Sequence, residues 1–121
     1  MKLVKLFLFV VAVMVGVAAT QSAALAADAA EGEKIYKAVC IHCHMSDGYE
    51  EKFGPGLKDI MQRVDVAWVD QWLKNPAEML KTDEYAKSLR ETNAFDFSMP
   101  TLPDMQDDEK RANVIEYLKT L

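Results

Sequence analysis

The sequence predicts an all-α domain of four or five short helices with no sheet. Past position 26 the apolar residues recur at three- and four-residue spacing, and no strict alternation persists. Capping residues stand where those runs begin, as at Asp65 and at Asn75-Pro76. The composition, 50% hydrophobic and 27% charged with only five glycines and four prolines, excludes a disordered chain, a collagen-like repeat and a disulfide-dense scaffold.

Residues 1–26 read as an export signal rather than as structure. Lys2 and Lys5 precede an apolar run from Leu6 to Ala19, and Ala24-Leu25-Ala26 supplies the small-x-small pattern that precedes cleavage. The fourteen residues of that run fall short of the roughly 20 needed to span a membrane. Cleavage after Ala26 leaves residues 27–121 as one mature domain in the periplasm, with no membrane insertion. Losing Lys2 and Lys5 shifts the net charge from −5 to −7. Such acidity argues against nucleic acid as a partner, because phosphate binding needs clustered Lys and Arg. A chain of this size builds only a modest core by itself.

Residues 29–42 read as the first helix, with Ile35, Tyr36 and Val39 on one face. Residues 45–56 form a loop closed by Gly54-Pro55-Gly56, and a helical turn is expected around Leu57 to Met61. Asp65 caps a helix over 66–74 that carries Trp68, Val69, Trp72 and Leu73 together. Asn75-Pro76 ends that helix and suits the cap and first position of the next. Residues 76–91 are helical in propensity, with a break expected at Thr82-Asp83. Residues 93–105 carry two prolines and read as an ordered loop. The last helix runs from about Asp107 to Thr120, with Ala112, Val114, Ile115, Leu118 and Leu121 mostly inward.

All the cysteines and histidines of the chain lie in Cys40-Ile41-His42-Cys43-His44. Cys-x-x-Cys-His is the attachment signature of c-type haem. Two thiols at i and i+3 share one side of a helical turn, where they can bond to two vinyl groups. The histidine that follows reaches the iron from the same end. Other uses of the cysteines fit less well. A disulfide at this spacing closes a tiny loop and stabilises little. A thioredoxin-like dithiol expects a strand before its helix. A structural zinc wants four ligands, and no Cys or His remains outside the motif. His42, between the anchored cysteines, is expected to face away from the iron.

With no histidine left, methionine is the natural candidate for the sixth iron ligand, since its soft thioether favours reduced iron; an open or otherwise liganded iron is the alternative. Met45 adjoins His44 and cannot reach the other face, while Met61 and Met79 sit in helical patterns that suit core packing. Met99 and Met105 remain. Met99 is preferred because Pro100 biases it toward extended backbone in an irregular segment.

These residues resemble class I monohaem cytochromes c, over nearly all of 29–121. The likeness rests on Gly32-Glu33-Lys34-Ile35-Tyr36 before the motif, Gly54-Pro55-Gly56-Leu57 after it, Trp72-Leu73-Lys74-Asn75-Pro76, Met99-Pro100, and Val114-Ile115-Glu116-Tyr117-Leu118. It implies a small helical fold wrapped around one covalent haem c, thioether-linked to Cys40 and Cys43, with His44 and Met99 on the iron. It further implies that the Pro55 carbonyl holds the His44 ring, that Leu57 packs on the haem, and that Arg63 binds a propionate. Trp68 and Trp72 are core residues first, Trp68 being the better candidate for a propionate contact through its indole N–H. The stretch between Pro76 and Met99 is longer than in compact members, and Tyr85 to Leu89 looks like an added helical piece.

The function expected is a soluble one-electron carrier and not an enzyme, since no spare histidine serves as acid or base. The alternatives are an electron-transfer subunit of a larger complex and a haem sensor or enzyme with an open sixth site. Partners are expected to be redox proteins, with basic docking surfaces if Asp104, Asp107, Asp108 and Glu109 border the exposed haem edge. The ordinary role of those acids is to complement the helix dipole. A monomer is the favoured state.

Overall fold

A computed structural model describes residues 26–121. The expected export signal therefore lies, apart from Ala26, outside the described residues. Among the described residues there are six helices and no strand. The sixth beyond the four or five expected is a single turn, α2.

Helix α1 (Ala29–Ala38) begins at Asp28, whose carboxylate accepts from the Ala30 N–H at 2.8 Å. It stops sooner than the apolar pattern suggested. Val39 leaves helical geometry at φ −126° and ψ −58°, and the chain tightens into a 3-10 turn over Cys40–His42. The Cys40 carbonyl there accepts the N–H groups of Cys43 at 3.0 Å and His44 at 2.9 Å. Helix α2 (Ile60–Arg63) comes later than the expected turn at 57–61 because Asp59 adopts the left-handed conformation, φ 54°, just before it.

Helix α3 (Val66–Lys74) has the expected bounds, with Asp65 accepting from the Ala67 N–H at 2.7 Å. Asn75 closes α3 and opens α4 (Pro76–Thr82), its side chain accepting from the Glu78 N–H at 3.2 Å. The break at Thr82-Asp83 is a cap: Asp83 starts α5 (Glu84–Glu91) by accepting from the Ala86 N–H at 2.8 Å. An irregular stretch with a 3-10 turn at Pro103–Gln106 leads to α6 (Asp108–Leu118), capped by Asp107.

Helices α1 and α6 cross in intimate contact, and Gly32 lies at the crossing. A Cβ built there would stand 1.9 Å from the Asn113 carbonyl oxygen, so only glycine allows the two backbones to approach this closely. Tyr36, Val114, Ile115 and Leu118 from these helices join Val69 and Leu73 of α3 and Met105 in one core. The buried Arg111 ties three elements together. It donates to Asp70 on α3 at 2.7 Å, to the Met105 carbonyl at 2.8 Å and to Asp108 at 2.5 Å. With these partners its buried charge is neutralised and its donors are directed.

Candidate functional site

A cavity of ≈ 360 Å³ opens between the 3-10 turn, α3, α5 and the segment around Met99. Cys40, Cys43 and His44 line it, and both thiols are free. Burial, reinforced by the nearby Cys43 sulfur, pushes the Cys40 thiol up to about 11 until the haem is attached to it.

The His44 ring is fixed twice over. Its Nδ1 stands 2.8 Å from the Pro55 carbonyl oxygen. A carbonyl only accepts, so Nδ1 carries the proton and Nε2 presents a lone pair. Burial also holds the imidazole pKa below its ordinary value, against the opposing pull of the Pro55 hydrogen bond. Behind the ring, a Cβ on Gly54 would lie 2.5 Å from His44 Cε1. We therefore expect Gly54→Ala to displace the imidazole and cost about 1–3 kcal/mol in overpacking. Thermal unfolding reads the loss of stability, and a change in the visible spectrum of the haem-loaded protein reads the movement of the ring.

Of the other residues singled out in the sequence, Leu57, Arg63, Trp68 and Met99 also line the cavity. Arg63 donates to the Gly56 carbonyl at 2.7 Å and lies over the Tyr49 ring. Trp68, expected in the core first and as a propionate candidate second, stands beside α5. Its ring faces the cavity, but its N–H donates to Asp83 at 3.1 Å, because the cap of α5 comes to rest against α3. That contact and the Ala86 N–H, the larger effect, hold the Asp83 carboxyl below the ordinary carboxylate range.

The methionines separate by position. Met99 lines the cavity, and its sulfur accepts from the Trp72 N–H at 3.1 Å. Met105 is 1% exposed in the core and lies off this cavity. His42 is exposed and also lies off it. The acids at the start of α6 have local roles. Asp104 pairs with Lys110, Asp107 is the cap, and Asp108 pairs with Arg111.

The outer wall is not evident from the local sequence pattern. Leu80, Tyr85, Leu89, Arg90 and Phe97 of the long 76–99 stretch all line the cavity. The i, i+4 pair Tyr85 and Leu89 was the available signal for an apolar face. Nothing in the local pattern marks Arg90.

The donor set fits a haem. No three His, Cys, Asp or Glu side chains converge as an ion site among the described residues. Two thiols beside the His44 imidazole, and walls of Leu, Val, Trp and Phe, suit an apolar macrocycle joined through sulfur.

Comparison with known proteins agrees. The sequence model of the family described as Cytochrome c matches residues 29–121. The chain is similar to a cytochrome c of Nigella damascena, with 28% identity over 100 residues, covering 78% of this chain and 90% of that one. Among solved structures it resembles an engineered cytochrome c from Rhodothermus marinus bound to a carbene intermediate. That likeness has a TM-score of 0.61 and 28% identity, and covers 76% of this chain and 74% of the other. The paired thiols, the carbonyl-held imidazole and a family match running from α1 to the last residue place this chain in the class I monohaem cytochrome c family, with haem c carried on Cys40 and Cys43 in haem-based electron transfer.

Proposed function

We propose that the protein is a periplasmic one-electron carrier, without enzymatic activity, whose iron is held by His44 and Met99. The carrying observation is that the Met99 sulfur, fixed by the Trp72 N–H at 3.1 Å, lines the same cavity as the His44 imidazole. The haem supplies a reversible one-electron couple when bound. His44 offers Nε2 because Nδ1 is held by Pro55. Trp72 restricts the thioether and draws electron density from it, and the apolar walls exclude water around a changing charge. A His and Met pair raises the potential relative to two histidines. Export to the periplasm rests on the Lys2 to Ala26 pattern.

Optical spectra of the mature protein in both redox states test this reading. The ferric form should show the weak far-red band of a methionine–iron bond, and the ferrous form should bind carbon monoxide only slowly. Rapid carbon monoxide binding with no far-red band would favour the sensor or enzyme with an open sixth site. A native mass well above that of one chain would favour a subunit of a larger complex.

A further inference from the structure

We propose that Phe53, Phe95 and Phe97 form the docking surface for a redox protein whose contact face has an apolar centre ringed by Lys and Arg. The proposal rests on the electron-carrier reading above and names the partner class of that site.

The three rings meet although two loops supply them. Phe53 lies 5.4 Å from Phe95 and 6.3 Å from Phe97 between ring centroids, yet the residues are 47%, 55% and 43% exposed. Three half-exposed phenylalanines clustered on a small domain are the kind of apolar patch that marks an interaction site. Phe53 and Phe97 also line the haem cavity while remaining about half exposed, so the patch adjoins the site.

The cluster is held in place. Asn93 donates to the Glu51 carboxylate at 2.6 Å and to the Phe53 carbonyl at 2.8 Å. Its own side-chain oxygen accepts from the N–H groups of Phe95 and Phe97, each at 3.0 Å. Asp96, between those two rings, adopts a left-handed φ of 48°, a conformation that a non-glycine residue holds at some cost. A surface fixed before contact loses little entropy on docking.

Charge decides the partner. In the chain Glu50 and Glu51 precede Phe53 and Asp96 stands between Phe95 and Phe97, against Lys52 on the same loop, and the mature domain as a whole is acidic. Opposite charge on a partner would steer encounter, while the rings supply the contact energy. So small a patch suits the low-area, short-lived complexes of electron exchange. The acids of α6 are less suited, since Asp104 and Asp108 are already paired with cations.

The test uses the haem-loaded protein and, as probe, a lysine-rich monohaem cytochrome of mitochondrial type, with electron exchange followed by stopped flow. Phe95→Ser should lower the second-order rate at low salt by about tenfold, the loss of one anchoring side chain. Glu50→Lys should lower the rate and flatten its salt dependence, and Glu109→Lys, at the start of α6, should do neither. Exchange with ferricyanide at high salt should be the same for all three variants. An unchanged rate in Phe95→Ser overturns the proposal. So does a wild-type dimer that Phe95→Ser dissociates, which would make the patch a contact between two copies. A wild-type protein that exchanges electrons with neither reagent would instead overturn the electron-carrier reading itself.

Discussion

Met99→Ala protein is expected to lack the far-red ferric band, to bind carbon monoxide rapidly when reduced, and to show a markedly lower reduction potential. The sulfur lines the haem cavity and is held by Trp72; alanine leaves nothing at that position to bond iron. Axial ligands command a span of about 0.8 V, so a fall on the order of 0.1 V or more is expected. Met105→Ala is the control. Met105 is a core residue, and its removal should cost about 2–5 kcal/mol of stability while the spectrum and potential stay as they were. If Met105→Ala abolished the far-red band and Met99→Ala kept it, the ligand assignment would be reversed.

Gly32→Ala should be strongly destabilising for the addition of one methyl group. Alanine gains about 1 kcal/mol over glycine inside a helix. Here that gain is outweighed, because the new Cβ meets three backbone atoms of α6, at 1.9, 2.5 and 2.9 Å. Backbone cannot rotate away, so the helices must part and Tyr36 must lose its fit against Val114. Overpacking at the upper end of its usual range leaves a net loss of about 2 kcal/mol or more. For a domain this size that is a fall of about 8 °C or more in the unfolding midpoint, read by far-UV circular dichroism. An unchanged midpoint would mean that α1 and α6 can slide apart without cost.

Short-range chemistry was legible in the sequence. Asp65, Asn75-Pro76 and Asp83 act on neighbours two or three residues away; the caps at Asp65 and Asn75 stand where the pattern put them, and the break expected at Thr82-Asp83 is the cap of α5. The Cys40-x-x-Cys43-His44 motif is equally local. What escaped depends on residues far apart in the chain. Arg111 finds Asp70 across 41 positions, Trp72 finds Met99 across 27, and Asp83 captures the Trp68 indole across 15. Those pairings follow from how helices dock, which periodicity does not encode. The role of the 76–99 stretch was hidden for the same reason, since Leu80, Leu89 and Phe97 become a wall only when α5 folds back over α3.

The segment bearing Met99 is pinned on both sides. Before it, Asn93 fastens the chain to Glu51 and Phe53. After it, Gln106 holds the Lys74 carbonyl at 2.9 Å, and Arg111 holds that of Met105. Under the ligation proposed above, a tether anchored at both ends would give its sulfur a high effective concentration at the metal. Any diffusible ligand would then compete with one that cannot leave, and a thioether lost in a fluctuation would return before a replacement arrived. With Met99 as the proposed ligand, selectivity against small gases would thereby be built into the strap as well as into the iron.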